Sequence, residues 1–129
     1  MFIVFCGSAS LEEPQNMMNR TSLPHHKLIA FSVAKELLLA VVAANIKDAE
    51  LRDQATRAAK GAALNTAEGA GRASPKDKAR VYAIARGEAA EAAAAVEIAA
   101  ALGATSAAAE QAVRTVAARL CAMLNALCH

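Results

Sequence analysis

The stretch Gly69-Ala-Gly71-Arg-Ala-Ser74-Pro75-Lys-Asp77 decides the fold. Glycines are favoured where helices stop. A serine followed by proline, with an acidic residue three places beyond the serine, marks where helices start. The hydroxyl can take an orphan N–H, the proline gives up no hydrogen bond at the first position, and the carboxylate faces the positive end of the helix dipole. One helix therefore ends near residue 70 and another begins at 75. Working outward, Gly103-Ala-Thr105-Ser106 repeats the same stop and start, with Glu110 in the turn that follows. Upstream, the break at Asn45 to Asp48 offers Asp48 as a cap, with Glu50 in the next first turn. These interruptions predict helices over 24–45, 48–70, 75–102 and 106–127. Short connections make sequential helices antiparallel, so the predicted fold is all-α, an antiparallel up-and-down four-helix bundle.

The 129 residues suit a single domain. Apolar residues make up 56% of the chain but aromatics only 3%, so the core must be built from Ala, Leu, Val and Ile. Alanine is the best helix former yet buries little area, which favours closely packed helices. Residues 1–23 read as a flexible leader before a bundle domain at 24–129, with Met17 and Met18 as alternative natural starts. The run Met1-Phe-Ile-Val-Phe-Cys6 is far short of the roughly 20 apolar residues that span a bilayer and lacks the basic flank of a signal peptide. No association with a membrane is expected. Cys6, Cys121 and Cys128 form an odd set. The last two are seven residues apart on one helical face, about 10 Å along the axis and too far for a disulfide within one helix. They read as reduced packing residues of a cytoplasmic protein.

The first helix carries two apolar stripes. Phe31, Ala34, Leu38 and Val41 make one; Ile29, Val33, Leu37, Ala40 and Ala44 make the other. A bundle buries one stripe, which leaves Ile29, Val33, Leu37 and Ala40 as the candidate interface of a homo-oligomer. The alternatives are a helix placed centrally within one subunit and a monomer whose second stripe docks another protein. On the third helix, Ile84, Gly87, Glu91, Ala95, Ile98 and Leu102 share a face, so a carboxylate falls where apolar groups are expected. Asn65 and Glu68 extend the apolar face of the second helix. A buried carboxylate needs a cation or several donors. Asn65, Glu68 and Glu91 are thus predicted to form a structural polar cluster with an arginine as counter-ion, the rival being a metal or catalytic site.

Catalytic chemistry finds little support. A di-metal bundle site needs paired Glu-x-x-His motifs, and His25, His26 and His129 lie outside helix interiors at the wrong spacing. No metal and no cofactor is expected. No His or acid is placed to activate Cys121 or Cys128, and Gly69-Ala-Gly71 lacks the Lys-Ser or Lys-Thr of a phosphate loop. The chain does not read as an enzyme. One charge cluster stands out in a chain whose net charge is only +2. Arg72, Lys76, Lys78, Arg80 and Arg86, opposed by Asp77, give a local +4 around the second connection. That cluster suits either phosphate contacts with RNA or another nucleic acid, or a solvated helix start without an aromatic platform.

The run Leu64-Asn65-Thr66-Ala67-Glu68-Gly69-Ala70-Gly71-Arg72, then Ser74-Pro75-Lys76-Asp77 and Ile84-Ala85-Arg86-Gly87 with Glu91, resembles the bacterial four-helix-bundle family associated with intervening sequences in large-subunit ribosomal RNA genes. Leu51-Arg52-Asp53-Gln54 and Leu102-Gly103 fit the same pattern, so the resemblance covers about residues 25 to 127. The chain departs from the family at Phe31, where tryptophan is common, at Ala63, where proline is common, and near Lys78 and Val81, where large aromatics are common. The second helix is therefore expected to be straighter and the packing around the third thinner. The resemblance implies a ring-like homo-oligomer, typically a pentamer. Similar bundles serve as accessory proteins of diversity-generating retroelements, where a basic surface binds nucleic acid and a reverse transcriptase. The combined expectation is a non-enzymatic oligomeric scaffold that binds RNA through the basic connection, or else a protein-protein scaffold with no nucleic-acid role.

Overall fold

A computed structural model describes residues 21–129. Four helices follow a short 3-10 turn at Pro24–Lys27: α1 (Ile29–Ala43), α2 (Ala49–Gly71), α3 (Pro75–Ala101) and α4 (Ala107–Leu127). Among the described residues there is no strand. Each helix packs on its sequence neighbours, and α1 also packs on α4, closing an up-and-down bundle. The chain enters differently from the expectation of a helix from residue 24. The Leu23 N–H donates to His26 Nδ1 at 2.9 Å and the His26 N–H to the Leu23 carbonyl at 3.0 Å, closing a tight turn. Leu28 is then extended, and the α-helix starts only at Ile29. Most of the stretch read as a leader, residues 1–20, and Cys6 within it lie outside the described residues.

The three predicted caps form as their chemistry requires. Asp48 Oδ1 accepts from the Leu51 N–H at 2.9 Å, Ser74 Oγ from Asp77 at 3.1 Å and Ser106 Oγ from Ala109 at 3.0 Å. The glycines act in two different ways. Gly103 has φ +74, a left-handed stop that L side chains resist. Gly69 lies within the last turns of α2 and is buried under the ring of Tyr82; a Cβ there would sit 2.7 Å from Tyr82 Cε1. Its missing side chain lets α3 lay its one aromatic ring against the α2 backbone. The first and third connections meet at the far end of the bundle. There the Lys47 N–H donates to the Ala104 carbonyl at 2.8 Å and Thr105 Oγ1 to the Ala44 carbonyl at 2.6 Å. The α2–α3 connection stands alone at the opposite end.

The core is alanine with a few larger anchors: Leu37, Ile46, Leu120, Leu124 and four valines, all under 2% exposed. Between α2 and α3 it is almost pure alanine, Ala55, Ala58, Ala59 and Ala62 facing Ala85, Ala89, Ala92 and Ala99. Such a seam gains little per residue from burial, so stability depends on close approach and on the few larger side chains. Thr66, the one buried polar residue among those described, satisfies its hydroxyl on the Ala62 carbonyl at 2.7 Å.

Candidate nucleic-acid interface

The end of α2, the connection and the first turn of α3 bring Arg72, Lys76, Lys78 and Arg80 together. Asp77 is the hub. Fixed as the third residue of α3 by the Ser74 cap, it takes Arg72 Nη1 on Oδ2 at 3.2 Å and Arg80 Nε and Nη2 on Oδ1 at 3.1 and 3.0 Å. Arg72 also donates to Glu68 one turn back. The Glu68 hydrogen bond first, and then the charge of Asp77, raise the Arg72 guanidinium above its ordinary pKa. Lys78 reaches over the end of α2 and donates to the Ala70 carbonyl at 2.7 Å and the Gly69 carbonyl at 3.4 Å, capping the negative end of that helix. Lys76 is exposed and takes no hydrogen bond or ion pair among the described residues.

Glu68 belongs to this end and opposes its charge, so four cations stand against Glu68 and Asp77 with a net +2, where the sequence suggested +4. Arg86 does not join them: it leaves along the α4 side and donates to Asn125 Oδ1. What remains free to meet a polyanion is Lys76 and the outer edge of Arg80, whose side chain is 58% exposed. They line an open cleft with Ser74 and Asp77. Tyr82, the nearest aromatic in sequence, is buried, and burial pushes its hydroxyl pKa up. Among the described residues the surface has side chains suited to phosphate contacts but no ring for base stacking.

The polar cluster does not assemble as expected. Asn65 Nδ2 donates to Glu88 Oε1 at 2.5 Å and to the Gly61 carbonyl at 3.1 Å. Glu88, which the sequence left outside the expected cluster, folds across α2 where Gly61 has no side chain; a Cβ on Gly61 would meet the Glu88 carboxylate at 2.0 Å. Glu68 turns to Arg72, and Glu91 is exposed with no partner among the described residues. The stripe containing Glu91 is the outer one: Ile84, Ile98 and Leu102 are 45, 52 and 67% exposed. The inner face of α3 carries Val81, Tyr82, Ala85, Ala89, Ala92, Val96 and Ala99. On α1 the predicted interface set divides similarly. Val33 and Leu37 are buried within their own bundle, Ala40 is half-buried and Ile29 alone is open, at 70%. The exposed apolar side chains of α1 further along are Leu39 and Val42.

Among the described residues no group of three or more His, Cys, Asp or Glu could hold a metal ion. Cys121 and Cys128 are half-buried, with their Sγ atoms 3.7 and 3.5 Å from the Arg86 and Ala79 carbonyls of α3. Burial pushes the Cys121 thiol pKa up, against a smaller pull from Arg86, which disfavours the reactive thiolate. No helix among the described residues is long and apolar enough to cross a membrane.

Residues 26–126 match the family model described as 23S rRNA-intervening sequence protein. The chain belongs to that family. The match spans all four helices and both halves of the basic end, so Asp77, its arginines and the caps lie inside the family domain. No curated protein matches the chain. The family name refers to intervening sequences of 23S rRNA and gives no indication of enzymatic activity.

Proposed function

We propose that the protein is a non-enzymatic scaffold that assembles with copies of itself and holds RNA through its repeated basic ends. The observation that carries the reading is the exposure of large aliphatic side chains on opposite sides of the bundle. Leu39 and Val42 are 67 and 60% exposed on α1, and Ile98 and Leu102 are 52 and 67% exposed on α3. Helices α1 and α3 lie across the bundle's diagonal, each packed on α2 and α4. Their outer faces therefore look in opposite directions. Two separate apolar faces suit a head-to-tail contact, which closes into a ring when the rotation allows. The family resemblance of the sequence implies five copies in such a ring.

A single basic end of net +2 is a modest anion site. A ring repeats Arg72, Lys76, Lys78 and Arg80 with every copy, and simultaneous engagement raises apparent affinity without any new contact. The association of the family with ribosomal RNA supports RNA as the polyanion. The test is a salt titration against a short structured RNA, with assembly followed separately. Because Arg72 and Lys78 also hold the connection together, the first variant is Lys76→Ala with Arg80→Ala, and the quadruple alanine variant follows. Binding should weaken steeply with salt, and each phosphate contact removed should lower the log–log slope by about 0.7 to 0.9. Absence of binding at low salt ends the RNA reading and leaves a protein-binding scaffold that uses the apolar faces.

A further inference from the structure

Lys35 and Glu91 are each an exposed charge set inside an apolar outer face, and neither has a partner of opposite charge among the described residues. On α1, Lys35 is followed by Leu39 and Val42 at spacings of four and seven. Its ammonium lies 5.1 Å from the centroid of the Phe31 ring, along the same face. The neighbouring Glu36 is already engaged, by Arg119 at 3.0 Å. On α3, Glu91 sits midway between Ile84 and Ile98, seven residues from each, with Leu102 a turn beyond. Among the described residues, one face is thus apolar with a single cation that has no acidic partner, and the other is apolar with a single carboxylate that has no basic partner.

We infer that Lys35 of one copy pairs with Glu91 of the next, as the polar lock of a contact between the outer face of α1 and the outer face of α3. This rests on the self-assembly reading above and specifies which faces meet and in what register. At 1.5 Å per residue, Val42 lies about 10.5 Å along α1 from Lys35, and Ile84 and Ile98 each lie about 10.5 Å along α3 from Glu91. Setting Lys35 on Glu91 therefore brings Val42 level with one of the two isoleucines, whichever way the helices run. Gly87 and Ala94 flank Glu91 on the exposed side, and a Cβ on Gly87 would meet nothing within 4 Å, so a neighbouring helix can approach closely. The pair also supplies direction. Two α1 faces would oppose Lys35 to Lys35, and two α3 faces Glu91 to Glu91, so like charges disfavour the symmetric dimers and leave the head-to-tail contact.

Charge reversal tests it. Sedimentation velocity across a concentration series compares the unaltered chain with Lys35→Glu, Glu91→Lys and the double exchange. Both side chains are exposed, so the helical content of each variant should be unchanged by circular dichroism. Each single reversal should raise the concentration of half-assembly about tenfold or more, and the double exchange should recover most of that loss. Lys35→Gln and Glu91→Gln, which remove charge at similar size, should fall between. If the unaltered chain assembles but single reversals assemble equally well, or the double exchange does no better than they do, the pairing is wrong while self-assembly stands. If the unaltered chain is a monomer at micromolar concentration, the assembly reading fails and the pairing with it.

Discussion

Replacing Gly69 with alanine tests the packing at the basic end most sharply, because the same change two residues on, at Gly71, meets no neighbour and should not destabilise. Glycine to alanine in a helix is ordinarily favourable, by about 0.4 to 1 kcal/mol, through the lost freedom of the unfolded chain. At Gly71, the last residue of α2, a Cβ meets nothing within 4 Å, so Gly71→Ala should be neutral or gain up to that amount. At Gly69 the added carbon would lie 2.7 and 2.8 Å from Cε1 and Cδ1 of Tyr82. The ring is only 5% exposed and cannot swing into water without leaving the core. Overpacking of this kind costs about 1 to 3 kcal/mol, more than the helix gain. Gly69→Ala should therefore destabilise by roughly 1 to 2 kcal/mol net. Because Lys78 caps the Gly69 and Ala70 carbonyls, the displacement should also disturb the basic connection. Urea unfolding at one fixed protein concentration measures both variants, since assembly makes apparent stability concentration-dependent. A Gly69→Ala protein at least as stable as Gly71→Ala would refute the placement of Tyr82.

Asn65→Ala removes the bond to Glu88, and because Glu88 is half-exposed and can turn to water, the loss should stay near 1 kcal/mol in thermal or urea unfolding; a loss of several kcal/mol would mean that the Glu88 carboxylate is shut off from water. Ser74→Ala should cost about 1 kcal/mol through the lost cap and loosen Asp77, so the proposed RNA binding should change along with stability; an unchanged melting temperature would argue against the cap. In alkali, burial raises the pKa of both Cys121 and Tyr82, so the folded state holds protons that the unfolded state has released. Stability contributed by these groups is complete below their ordinary values of 9.0 and 10.0 and falls as pH rises beyond them, a decline that Cys121→Ala should postpone.

The helix count, the three caps and the left-handed stop at Gly103 were legible because they depend on local chemistry: a hydroxyl or carboxylate within reach of an N–H, and a residue without a Cβ. The face each helix buries was harder to read. On α3 alanines occur at nearly every position, so the large residues Ile84, Ile98 and Leu102 set the apparent stripe, and they proved to be the outer one. In a seam built by close approach, small residues go inside and the large ones are left out. The same effect hid Glu88, whose place depends on Gly61 on another helix. On α1, Val33 and Leu37 were assigned to a neighbouring copy because two stripes looked equivalent; in the fold, their stripe supplies the larger anchors of the chain's own core. The basic cluster was legible as composition. Its pairing with Glu68 and Asp77 required the turn geometry that sets Arg72 between the two helices.

Self-assembly through the two outer faces is decided by sedimentation equilibrium of the unaltered chain at micromolar concentration. The expected result is a single species whose mass is a multiple of the 13.3 kDa chain, dissociating only on dilution or on charge reversal at Lys35 or Glu91. A species of 13.3 kDa at that concentration, with Leu39, Val42, Ile98 and Leu102 left facing water, would contradict it.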